Sequence, residues 1–195
     1  MNIITNPNLI NPINNPKLVF TSQDNLVSDL IELREDGSWG INGEVSHMMT
    51  MTEHGLFNCQ DPGGFHQIPI STYMTKGTRI VFIDFVNMNP AAYTAMCLIV
   101  SERLGKQGYD WLQIVGQATD WFPIIGRTLS FLHMPGTEDC SEEGVREMKG
   151  IAPFLPSLDT DFLNTIPSQS NPQQVLNLCL ENPFVFNPFG IYTGS

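Results

Sequence analysis

Two residues have types and settings that suit covalent chemistry, Cys140 and His47. Cys140 stands in Thr137-Glu138-Asp139-Cys140-Ser141-Glu142-Glu143. Asp139 is a natural helix N-cap, and Glu142 three residues later gives a capping-box pattern. Cys140 is then the first helical residue, where the helix dipole and free backbone N–H groups favour a thiolate. Cys140, Gly144, Met148 and Ile151 share one helical face, so the sulfur points inward. His47 lies in Val45-Ser46-His47-Met48-Met49, a strand pattern in which Val45, Met49 and Met51 are its same-face neighbours. A thiol at a helix start facing an imidazole on a sheet can do nucleophilic catalysis: the imidazole takes the thiol proton and the thiolate attacks a carbonyl. Both residues also read plainly as packing, a small cysteine at a helix start and a histidine satisfied within a core.

A third group is expected to orient the second ring nitrogen of His47. Closing the hairpin at Glu53-His54 puts Gln60 opposite His47. A three-residue loop puts Asp61 there instead, and a slipped register brings Asn58 near. Gln60 is the expected partner.

The elements that must position these groups follow from patterning. Residues 1–16, with Asn6-Pro7, Asn11-Pro12 and Asn15-Pro16, read as a leader draped over a single domain spanning 17–195. Leu18–Phe20 suggests a strand, and Asp24–Arg34 an amphipathic helix with Leu26, Leu30, Ile31 and Leu33 on one face. Val45–Thr52, Leu56–Gln60, His66–Ser71 and Arg79–Phe85 read as strands of one antiparallel meander. Helices are expected over Ala91–Leu104, Trp111–Thr119, from Asp139-Cys140, and over Gln173–Leu180. Phe184, Phe186 and Phe189 suggest a C-terminal tail laid against the core or a partner contact. Strands first and helices later make an α+β domain.

Taken in order, these motifs resemble a known group. Ser46-His47 before an apolar strand, a second strand ending in a Gly63-Gly64-Phe65 turn, Tyr109-Asp110, and Cys140-Ser141-Glu142 on a helix look like the circularly permuted NlpC-type papain-like cysteine hydrolases. The group includes amidases and the relatives of lecithin:retinol acyltransferase, and the resemblance covers roughly residues 17–180. It implies a papain-like fold, an antiparallel β-meander or barrel packed against helices, with the histidine strand ahead of the cysteine helix. It also implies a thioester intermediate at Cys140, and an active-site neighbour at Tyr109. The implied substrate is a cell-wall peptide, an isopeptide or an acyl lipid. The group usually carries a Glu on the strand after the histidine; here that position falls near Cys59.

Composition narrows the alternatives. The chain has 195 residues, 9 basic against 20 acidic, and a net charge of −11, which disfavours nucleic acid and anionic lipid as partners. No apolar run is long enough to span a bilayer, and no signal peptide is visible, which suits a cytoplasmic or phage-encoded protein. The four cysteines are widely spaced and read as free thiols. His47, His54, Cys59 and His66 match no zinc spacing, and Asp61-Pro62-Gly63-Gly64 lacks the helix of a phosphate loop, so no cofactor or metal is expected. The expected function is a cysteine hydrolase for an amide or ester, with a peptide or acyl substrate. The competing expectation is a binding or structural protein that kept the fold and lost turnover.

Overall fold

The computed structural model describes residues 2–22, 45–61, 64–105, 108–109, 137–138, 140–158, 164 and 172–194. The expected helices at Asp24–Arg34 and Trp111–Thr119 lie outside them, as does the N-cap position Asp139.

The chain builds a mixed sheet with helices on one face, an α+β arrangement. Its strands are β1 (Asn2–Ile3), β2 (Lys17–Ser22), β3 (His47–Glu53), β4 (Leu56–Asp61), β5 (Gly64–Pro69), β6 (Arg79–Phe85) and β9 (Phe186–Thr193). They lie in the order β1-β9-β6-β2-β3-β4-β5. A separate parallel pair joins β7 (Gly108–Tyr109) to β8 (Thr137–Glu138). The helices used below are α1 (Pro90–Arg103), α2 (Cys140–Ile151) and α3 (Pro172–Glu181).

Two of these placements correct the expected meander. β6 does not follow β5 but pairs antiparallel with β2, on the far side of β2 from β3. The C-terminal segment is a strand, β9, inserted between β6 and β1. The sequence disguises it because Asn187-Pro188 interrupts the apolar pattern, and the ladder with β6 shifts register there, where proline lacks a donor. The N-terminal segment adds a strand to the sheet: β1 pairs with β9, and Pro7, Ile10 and Pro12 are buried.

The sheet separates two apolar clusters. On one face Leu18, Phe20, Met48, Val81 and Ile83 meet Val145, Met148 and Ile151 of α2 and Val175, Leu176 and Cys179 of α3. On the other face Val19, Met49, Met51, Cys59, Ile80 and Phe82 meet Ile10 of the leader and Ile70 and Tyr73 of the turn after β5. Successive strand residues therefore go to opposite layers, as the pleat requires. The helical layer approaches β3 closely at Gly144. A Cβ there would lie 2.7 Å from Sδ of Met48, a residue only 1% exposed. The glycine lets α2 settle against β3, and this contact decides which face of β3 the helix covers.

Gly144→Val is expected to lower unfolding stability by ~2 kcal/mol through overpacking. Urea titration of the single and double variants checks this: Met48→Ala, which opens the same space, should recover part of the loss when combined with it.

Candidate active site

Helix α2 begins at Cys140, as the capping pattern implies, and the residues of the predicted inward face (Cys140, Gly144, Met148 and Ile151) are all buried. α2 lies across β3 and β4. Between them is a narrow cleft, partly open to solvent, whose walls leave no room for a free water molecule. Cys140, Glu143, Gly144 and Glu147 line it from α2. Met48, Met49 and Thr50 of β3, Asn58 and Gln60 of β4 and Phe65 of β5 complete it.

The polar half of this lining is a connected set. Asn58 Nδ2 donates to the hydroxyls of Thr50 (3.1 Å) and Thr52 (3.0 Å), and Asn58 Oδ1 accepts from Gln67 (3.2 Å). Opposite them, Glu143 and Glu147 are buried on α2. Glu143 forms an ion pair with Arg103 at the end of α1, through Arg103 Nη2 and Glu143 Oε2. Burial lifts the Glu143 carboxyl to about 7, and Glu147 adds to the rise while Arg103 opposes it. Burial also lifts Glu147 to about 8; the Thr50 hydroxyl and the Arg103 charge pull it part of the way back. Neither oxygen of Glu147 has a hydrogen bond of standard geometry among the described residues. A carboxyl in that position is most stable with its proton on. The site thus combines a thiol at a helix N-terminus, one carboxylate poised near neutral pH and one neutral carboxyl.

His47 is not part of this cleft. Met48 faces α2, and His47, its neighbour along β3, projects to the other side, level with Thr21 on β2. There His47 Nε2 lies 2.9 Å from Cys59 Sγ, and the His47 ring stacks on Tyr73 at 6.5 Å with an interplanar angle of 18°. The Tyr73 hydroxyl is 3.8 Å from the same sulfur. Cys59 is fully buried, so this thiol is closed to substrate. The expected pairing of His47 with Cys140 is therefore corrected: the sheet stands between them, and the histidine meets a different cysteine.

Gln60 reaches the cleft by a register other than the expected one. The β3–β4 turn is His54-Gly55, with Glu53 paired to Leu56, because Gly55 (φ 78°) supplies the left-handed conformation that a tight hairpin needs. A bulge then brings Thr50 opposite Asn58. Two residues beyond Asn58 on β4, Gln60 lines the cleft together with Met48. So Gln60 joins Cys140, not His47. Tyr109 pairs through its backbone with Glu138, two residues before Cys140.

Sequence reasoning missed Glu143, Glu147 and Arg103. A signal was present: Cys140, Glu143 and Glu147 follow i, i+3, i+7 spacing, so an inward sulfur implied inward carboxylates. No protein-family model matches the chain, and no curated protein matches it.

The two raised carboxyls carry a stability consequence. Their folded proton affinity exceeds the ordinary carboxyl value of 4.5, so the stabilising contribution is fully present below 4.5 and is lost as pH rises through about 7 and 8. Glu147→Gln keeps the shape and removes the charge. It should be more stable than the parent at pH 9, by on the order of 2 kcal/mol, with the difference fading toward pH 5. Denaturant midpoints at the two pH values measure it; equal differences at both would count against a neutral buried Glu147.

Proposed function

We propose that the chain is a cysteine hydrolase in which Cys140 attacks the carbonyl of an amide or ester and Glu143, rather than His47, accepts the thiol proton. One observation carries this reading. The thiol of the first residue of α2 and a carboxylate three residues later line the same cleft, and that carboxylate's proton affinity lies near neutrality. A base poised near the working pH balances availability against driving force.

The chemistry balances without a cofactor. The Glu143 carboxylate takes the Sγ proton, and the thiolate forms a bond to the carbonyl carbon. The amine or alcohol departs with the proton returned from Glu143, leaving a thioester on Cys140. Water that gives its proton to Glu143 then adds to the thioester, releasing the acid and restoring the thiol. A helix start directs its first-turn backbone N–H groups toward a developing oxyanion, and the first turn of α2 stands in that position. Gln60 presents its amide to the substrate from the opposite wall, while the Asn58 amide is engaged by Thr50, Thr52 and Gln67.

The order of the elements supports a permuted papain-like arrangement: a strand meander comes first, and a cysteine helix packed on it follows. The face taken by His47 departs from that arrangement. A peptide or acyl group is the substrate class that the resemblance implies. A second reading, a binding or structural protein without turnover, is favoured by the narrowness of the cleft, whose walls must part to admit any substrate.

Iodoacetamide labelling followed by peptide mass mapping separates the two readings. Cys140 should react with a rate that rises around pH 7, and Glu143→Gln should slow it by at least ~10-fold at pH 7.5, the scale of a lost general base. His47→Ala should leave that rate unchanged. A Cys140 that labels no faster than a free thiol at every pH supports the second reading.

A further inference from the structure

We propose that Arg103 is a positioning residue for the cleft, holding Glu143 ionised and aimed so that it can serve Cys140. This inference rests on the reading of Glu143 as the base and extends the site to a second helix.

Arg103 is the last residue of α1, and its guanidinium meets Glu143 Oε2. The side chains are 14% and 3% exposed, so the pair is largely removed from water. A buried carboxylate without a partner would take up a proton and lose its basicity. Among the described residues, Glu147 and Cys140 share the helix face of Glu143 and Arg103 comes from α1; Arg146 on α2 lies within electrostatic reach of Arg103, and Cys97 on α1 within reach of Glu147. The residues lining the cleft from β3, β4 and β5 are uncharged. Glu147 works against ionisation of Glu143, and Arg103 works for it.

The backbone next to Arg103 reinforces the placement. The chain leaves α1 through Leu104, whose N–H bonds Val100 O at 3.1 Å, and Gly105, whose N–H bonds Phe65 O at 2.7 Å. Phe65 is itself a wall of the cleft. Gly105 holds φ 75°, a conformation that side chains rarely adopt, so a glycine is what allows the helix end to turn onto β5. Thus one short segment grips both sides of the site: Arg103 holds the carboxylate on α2 and Gly105 holds the sheet wall opposite. Buried ion pairs of this kind are weak contributors to stability, which leaves a role in setting a neighbour's charge.

The test is the pH profile of Cys140 alkylation by iodoacetamide in the full chain, with folding of each variant checked by circular dichroism. Arg103→Gln and Arg103→Met should move the inflection upward by about one pH unit, since each removes the charge that opposes protonation of Glu143. Rates above pH 9.5 should match the parent. Arg103→Lys, which restores the charge, should return the inflection most of the way, an outcome that a merely structural role would not give. An inflection unmoved in both neutral variants, while Glu143→Gln abolishes it, overturns the role of Arg103 and leaves the base standing. A step near pH 7 that persists in Glu143→Gln, beneath the thiol's own ionisation at higher pH, removes both.

Discussion

The packing of Gly144 of α2 onto Met48 of β3 governs the rest of the molecule's chemistry. Once Met48 faces the helix, the pleat assigns every other residue of the strand. Thr50 falls into the cleft, and His47, Met49 and Met51 fall toward the opposite layer. A side chain at Gly144 would meet the end of the Met48 side chain, which must shift to admit it. The distribution of thiols and imidazole between the two faces follows from this one close approach and the alternation it selects. Cys140 and His47, the two residues best suited to pair by type, are kept apart by it.

Each face then solves a polar problem in its own way. On the face away from α2 the imidazole of His47 is satisfied within an apolar layer by the Cys59 thiol and the Tyr73 ring. On the α2 face two carboxyls are buried with one guanidinium against them. One positive charge cannot balance two negative ones in a medium of low polarity, so at least one carboxyl keeps its proton near neutral pH. Such an arrangement opposes folding at alkaline pH, and groups held at that cost concentrate at functional sites. That is why the cleft, and not the thiol–imidazole contact, draws attention as the place of chemistry.

Much of the architecture was legible in the sequence. Arg79–Phe85 forms a strand with the expected limits, because a β-branched and aromatic run has few other solutions. The start of α2 at Cys140 and of α1 at Pro90 followed from local capping and proline rules. What escaped was non-local. The pairing of β6 with β2 joins segments far apart in the chain, and sequential strands only tend to be neighbours. The face of His47 depended on which parity of β3 the helix would cover, something no strand pattern contains when both faces are buried. Gln60, expected to orient His47, lines the cleft with Cys140 instead, because a shift of one position in a hairpin reverses every side chain. Glu143 and Glu147 escaped because carboxylates are rarely buried, and only their spacing from Cys140 carried a signal.

The central claim is that the sheet divides the imidazole from the reactive thiol. ¹⁵N NMR titration of the His47 ring in the parent chain, in Cys59→Ser and in Cys140→Ser tests it most directly. Cys59→Ser should shift both the ring resonances and the titration midpoint of His47, whereas Cys140→Ser should leave them where they are. A His47 titration that moves with Cys140→Ser and ignores Cys59→Ser would place the imidazole on the other side of the sheet and contradict the account.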